Sequence, residues 1–122
     1  VVALTQTGGI SIVHETVYEN RMGFTEALRD MGARIQTYPE CLGGLPCRFQ
    51  QANYHHSAVV SGPTPLTPAE IEVPDLRGGF SYLIAALAAD GSSTVTGCEL
   101  IYRGYERFSE KLDALGVDYS LV

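Results

Sequence analysis

Apolar positions recur along this chain in two rhythms. Phe24, Ala27, Leu28 and Met31 fall at i, i+3, i+4 and i+7, the stripe of an amphipathic helix, and Gly32 follows as its natural stop. Ile10 to Thr16 is β-branched and partly alternating, so it reads as a strand, as do Arg34 to Tyr38, Ser57 to Ser61 and Ala69 to Val73. Val1 to Thr7 reads as the closing turns of a helix stopped by Gly8 and Gly9. Pro39 to Gln51, with Gly43, Gly44 and Pro46, reads as a loop, and Gly62 to Pro68 as a turn-rich connector. A helix from about Gly78 is apolar nearly all round between Ser81 and Ala89, which predicts burial on every side. A strand at Ser93 to Cys98, a helix at Tyr105 to Leu115 and a strand at Val117 to Leu121 complete the chain. The order α-β-α-β-β-β-α-β-α-β predicts an α/β fold with crossover connections and some parallel pairing.

The pattern occurs twice. Phe24-Thr-Glu-Ala-Leu28-Arg-Asp-Met31-Gly32 returns 84 residues later as Phe108-Ser-Glu-Lys-Leu112-Asp-Ala-Leu115-Gly116. Upstream, Ala3-Leu4, Gly8 and Ser11-Ile12 align with Ala86-Leu87, Gly91 and Thr94-Val95 at an offset of 83. Internal repetition predicts stacked copies of one α/β unit, here about residues 1–38 and 81–122 joined by 39–80. The first copy starts in mid-helix and without Met. The expectation is therefore a fragment of one larger domain.

Composition narrows the partners. Hydrophobic residues at 45% suffice for a core, and charged residues at 18% fit elements covered on several sides. The net charge of −6 argues against nucleic acid. The apolar stretch from Phe80 to Ala89 is short of the ~20 residues that span a bilayer, so no membrane partner is expected. Three cysteines do not suggest a disulfide framework, which points to a reducing, cytoplasmic setting. Cys41, Cys47, His55 and His56 match no zinc spacing; buried or loop cysteines, and no metal, are expected.

Three segments set an arginine between a strand and a helix: Glu15-Thr-Val-Tyr-Glu-Asn-Arg21, Pro74-Asp-Leu-Arg-Gly-Gly79 and Tyr102-Arg-Gly-Tyr-Glu106. Such loops are where α/β folds place ligands, and a helix N-terminus favours anions. Arg77 would suit a phosphate or carboxylate, and Asp75 a ligand hydroxyl. The structural alternative for Asp75 is a helix cap plus an ion pair. His14 reads as a surface or satisfied histidine. No GxSxG, Walker or GxGxxG motif is present.

At these same segments the chain resembles an enzyme family. ETVYENR (15–21), PDLRGG (74–79) and RGYE (103–106), with Leu28-x-x-Met-Gly-Ala33 and Ala85-Ala-Leu-Ala-Ala-Asp-Gly91, look like the C-terminal part of UDP-N-acetylglucosamine 1-carboxyvinyltransferase. The sister 5-enolpyruvylshikimate-3-phosphate synthase matches these segments less well. The resemblance implies repeated βαβαββ units in an inside-out α/β barrel, with buried helices, outer sheets and a cleft between two domains. It implies transfer of enolpyruvyl from phosphoenolpyruvate to the 3′-hydroxyl of UDP-N-acetylglucosamine, for peptidoglycan precursors, without a cofactor. Carried over by position, Asp75 and Arg103 are expected in the catalytic machinery, with Arg103 on phosphoenolpyruvate. Val17, Arg21 and Arg77 are expected to bind substrate, Val17 through its backbone to the UDP-sugar. The family's general acid and its proposed basic Asp lie outside the matching region, and the fragment alone is expected to be inactive. Tyr102 stands where the family usually has Asp, and the Cys41–His56 segment is longer than usual. Both features favour a non-catalytic paralogue, which stands as an alternative beside a shikimate-type enzyme.

Overall fold

A computed structural model describes the backbone of residues 1–122 and every side chain except that of Arg77. A short 3-10 helix, Val2–Gln6, leads into strand β1 (Gly9–His14), helix α1 (Phe24–Asp30) and strand β2 (Arg34–Tyr38). A long loop then reaches β3 (Ser57–Gly62). β3 lies between the other two and is antiparallel to both, in the order β1-β3-β2. β1 and β2 therefore run parallel to each other, joined by α1, with β3 inserted between them. The second half starts with β4 (Glu70–Glu72), helix α2 (Leu76–Ala88) and β5 (Thr94–Thr96). Here the two strands pair directly and in parallel, the geometry that a helical crossover permits.

The repeated helices end alike, down to individual hydrogen bonds. After α1, Gly32 has φ of 102°, Ala33 N–H donates to Leu28 O at 2.9 Å, and Gly32 N–H to Arg29 O at 2.9 Å. After α4 (Phe108–Ala114), Gly116 has φ of 73°, Val117 N–H donates to Leu112 O at 3.1 Å, and Gly116 N–H to Asp113 O at 3.0 Å. Glycine adopts this left-handed conformation without a Cβ penalty, so each copy closes its helix the same way.

Burial follows two apolar clusters. Leu28, Met31, Ile35, Val60, Leu66 and Ile71 centre the first; Val73, Leu83, Ile101, Phe108 and Leu112 form the second. α2 serves both, with Ala85 in one and Leu83 in the other. It is not covered on every side, contrary to its apolar pattern. Ile84 is 37% and Leu87 44% exposed, because elements of this chain pack against only part of its circumference.

Two further expectations are corrected. The helix from Tyr105 to Leu115 is replaced by α3 (Glu99–Gly104), a break, and then α4. Ile101, fully buried, draws α3 into the second cluster, and Arg107 in the left-handed conformation breaks the path before α4. Val117 to Leu121 forms no strand. Val117 and Tyr119 pack on the second cluster, and the Tyr119 hydroxyl is 3.0 Å from Asp113 Oδ1. A strand is defined by a ladder, and no edge of the described sheets pairs with this segment.

Candidate functional site

After β1 the chain makes a tight turn built by Glu15. One carboxylate oxygen accepts the N–H groups of Val17 at 2.8 Å and of Tyr18 at 3.0 Å. Asn20 then takes the left-handed conformation, φ 51°, which Asn tolerates better than most residues. This swings Arg21 toward the start of α2. Its guanidinium lies 5.6 Å from the centroid of the Tyr18 ring and 3.7 Å from Asp75 Oδ1.

Asp75 immediately precedes α2. Its Oδ1 accepts the N–H of Gly78 at 2.7 Å, the bond of an N-cap. The same oxygen faces Arg21, so this carboxylate joins the two halves of the chain. The cap and ion pair weighed for Asp75 are both present, with Arg21 as the pair's cation. Asp75 is half exposed, and a pair in water contributes only about 0–1 kcal/mol, so the contact positions more than it stabilises. Gly79 lets the first turn of α2 sit on the end of β4: a Cβ there would overlap Val73 Cγ1.

The third segment arrives from α3. Arg103 lies in the last turn of that helix, not between a strand and a helix, and its side chain is exposed. Gly104 beside it touches the start of α2, where a Cβ would overlap Leu76. Tyr105 stacks on Phe80 of α2, with centroids 4.6 Å apart and planes at 24°. The three segments predicted to carry the chemistry thus meet around the entry to one helix. Arg77 is the second residue of α2, and its side chain lies outside the described residues. Val17 sits on the turn before Arg21 and is 61% exposed.

A helix entry carries a partial positive charge, and Arg21 and Arg103 add full charges near it. Asp75 opposes them. Burial first, then the negative charges of Asp75 and Glu26, push the Tyr82 phenol above its usual range. Such a surface can hold a polyanion by bidentate guanidinium contacts. It is open in this chain. Two surface depressions lie instead on the sheets, one lined by Ala33–Gln36, Val59 and Ser61, the other by Glu70–Glu72, Thr94 and Thr96.

Sequence reasoning missed two supporting residues. Glu15 builds the turn that presents Val17, a role its place two residues upstream could have suggested. Arg48 reaches back from the long loop, with Nη1 3.5 Å from Val17 O and Nη2 3.9 Å from Glu19. No local signal marks that contact. His14 is structural: its Nε2 accepts the N–H of Leu42 at 3.0 Å. Of the four potential zinc ligands, Cys41, Cys47 and His56 converge in this loop, while His55 turns away to Thr37 Oγ1 at 2.6 Å.

Comparison with known proteins identifies the family. The family model described as EPSP synthase (3-phosphoshikimate 1-carboxyvinyltransferase) matches residues 2–112. A UDP-N-acetylglucosamine 1-carboxyvinyltransferase of Protochlamydia amoebophila (strain UWE25) is 54% identical over 122 residues, covering 100% of this chain and 26% of that protein. The protein of the same name from Chlamydia trachomatis serovar D is 46% identical over 116 residues, 94% of this chain and 26% of its own length. The solved structure of the enolpyruvyl transferase NikO from Streptomyces tendae superposes with a TM-score of 0.69 at 29% identity, over 96% of this chain and 24% of that one. The chain spans about a quarter of the length of these relatives. Its repeated α/β units, the convergence of its three arginine-bearing segments and a family match along nearly its whole length lead to one conclusion: the chain belongs to the EPSP synthase family of enolpyruvyl transferases.

Proposed function

We propose that the protein to which this chain contributes transfers enolpyruvyl from phosphoenolpyruvate to the 3′-hydroxyl of UDP-N-acetylglucosamine, in the cytoplasm, for peptidoglycan precursors. The observation that carries this reading is the 54% identity along the whole chain to a protein named for that reaction. The convergence of Arg21, Asp75 and the Arg103 segment at the entry to α2 supports it. No helix among the described residues is long and apolar enough to cross a membrane.

In this reading the sugar hydroxyl adds to phosphoenolpyruvate, and phosphate leaves from the tetrahedral intermediate. Both substrates are polyanions, and charge moves onto the departing phosphate. Guanidinium groups fixed by surrounding structure stabilise that charge without reorganising as it develops. Arg103 holds phosphoenolpyruvate, and Arg77 joins it from the first turn of α2. Arg21 lines the cleft, held by Asp75 until an anion competes for it. The backbone of Val17, set by Glu15, contacts the UDP-sugar. Asp75 belongs to the catalytic group through its place at the helix entry, where it orders Arg21 and can accept a hydrogen bond from a ligand hydroxyl.

The test is turnover. The full-length protein is expected to release phosphate from phosphoenolpyruvate when UDP-N-acetylglucosamine is supplied. The 122-residue chain alone is expected to release none, because it spans only about a quarter of the length of the relatives named for this reaction. Release by the chain alone would show that the site is complete within it. The printed name of the family model favours one second reading, a shikimate 3-phosphate acceptor. Turnover with that compound and none with the UDP-sugar would establish it. Binding of either substrate without turnover would instead mark a non-catalytic paralogue.

A further prediction concerns Arg103. In the full-length protein, Arg103→Ala is expected to lower kcat/KM for phosphoenolpyruvate about tenfold to a hundredfold, the effect of losing ~1.5–3 kcal/mol of charge-assisted hydrogen bonding. Arg103→Lys should recover part of it. Unchanged kcat and KM would remove Arg103 from the site.

A further inference from the structure

We infer that Cys41, Cys47 and His56 form a three-ligand binding site for a thiophilic divalent metal ion of the zinc type. Cys41 and Cys47 lie in the loop between β2 and β3, and His56 immediately precedes β3. Cys41 Sγ is 2.9 Å from Cys47 Sγ and 3.4 Å from His56 Nε2, and the three donor atoms all lie within 4.8 Å of one another. In a tetrahedral zinc site, metal–sulfur bonds of about 2.3 Å and metal–nitrogen bonds of about 2.0–2.1 Å hold neighbouring ligand atoms roughly 3.5–3.8 Å apart. The sulfur–nitrogen separation is already near that value. The two sulfurs need to part by less than an ångström, a side-chain adjustment within a loop.

The surroundings are those of a built site. His56 is 1% exposed and held from both sides: its N–H donates to Tyr38 O at 3.0 Å, and its carbonyl accepts the N–H of Glu15 at 2.8 Å. The next residue pins the loop, as the Ser57 hydroxyl donates to Glu40 O at 2.7 Å. Phe49, 3% exposed, closes one side edge-on to the His56 ring at 5.9 Å, an apolar wall that strengthens electrostatic contacts within. The Cys47 N–H points at Cys41 Sγ at 3.2 Å, which fixes the position of that sulfur beside the second cysteine.

The imidazole presents its Nε2 to the cysteine pair, where it meets only the sulfur of Cys41 among the described residues. A metal ion on Nε2 supplies a strong interaction there, and a thiol pair alone does not. Three protein ligands leave a fourth position for water or another group.

The site would work as a clamp. The loop it closes carries Arg48 to Val17 O and Leu42 to His14, so a metal would fix the long insert against the turn that bears Val17. This inference rests on the loop's own geometry and stands whichever acceptor the enzyme uses.

The experiment uses the full-length protein, reduced, stripped with a chelator and titrated with Co²⁺ and then Zn²⁺. The expected result is a sulfur-to-cobalt charge-transfer band in the near ultraviolet, saturating with one added equivalent and displaced by Zn²⁺. The band should vanish in Cys41→Ser/Cys47→Ser, and the affinity should fall at least tenfold in His56→Gln. Cys98→Ser should bind like the parent. Circular dichroism of each variant separates lost binding from lost folding, and Cys41→Ser, at a half-buried position, provides a milder second variant. No band, or a band that survives the double cysteine variant, overturns the assignment. So does a Cys41–Cys47 disulfide, seen as a mass two hydrogens lighter, in protein that binds no Zn²⁺ after reduction.

Discussion

Met31→Ala in the 122-residue chain is expected to cost about 2–5 kcal/mol of stability, while Leu115→Ala is expected to cost less than about 0.5 kcal/mol. The two residues occupy the same place in the repeat, one before the glycine that closes each amphipathic helix. Met31 is 1% exposed and packs with Leu28, Ile35 and Leu66. Its backbone carbonyl also anchors the connector, accepting the N–H of Thr67 at 2.8 Å. Truncating it leaves a cavity between α1 and the connector that neighbours already bonded in place cannot fill. Leu115 is 78% exposed, so its truncation removes few contacts. Urea unfolding of both variants checks this. Similar losses would mean that the second copy buries its last apolar position as the first does.

The second large effect is steric. Gly62→Ala is expected to destabilise the chain by about 3 kcal/mol, at the upper end of the range for overpacking. Gly62 ends β3 opposite Gly9, directly beneath the 3-10 helix. A Cβ there would overlap the carbonyl oxygen of Thr7 and lie 2.8 Å from that of Leu4 and 2.9 Å from that of Thr5. These are backbone atoms, and Thr5 O is already tied to the N–H of Thr64 at 2.7 Å, so the clash cannot be relieved by turning a side chain. Gly8→Ala is the control, since nothing lies within 4 Å of its Cβ position. A lowered urea midpoint for Gly62→Ala and an unchanged one for Gly8→Ala is the expected result. Equal midpoints would show that β3 can move away from the helix at little cost.

The contrast between Met31 and Leu115 also shows how far sequence reading reaches. Periodicity and the terminal glycine placed both helices, because an amphipathic stripe and a left-handed stop are written within ten residues. The same reading gave α2 an all-round apolar surface, and this chain by itself supplies cover for only part of it. Cover depends on neighbours, and those of α2 in this chain leave Ile84 and Leu87 open. α3 escaped detection because six residues make less than two turns, too few for a period to emerge. It exists because Ile101 packs in a cluster with Val73 and Leu83, residues remote from it in the chain. Val117 to Leu121 has strand composition without a strand, since a ladder needs a partner that local sequence does not specify.

The candidate site divides in the same way. Family membership was legible, and Val17, Arg21, Asp75, Arg77 and Arg103 were singled out as candidates, from three short segments whose residue types and spacing are local. That Arg21 meets Asp75, that Gly104 touches Leu76, and that Cys41 and Cys47 meet His56 but not His55 were not. Those contacts follow from the order β1-β3-β2, the parallel pairing of β4 with β5, and the path of a loop tied down by His14, Glu40 and Tyr38. By itself the sequence determined the helix stripes and stops, the repeat and the family, because each is encoded within a short window. Only the tertiary structure decided which copy is buried and which side chains share a site, because those depend on contacts between segments far apart in the chain.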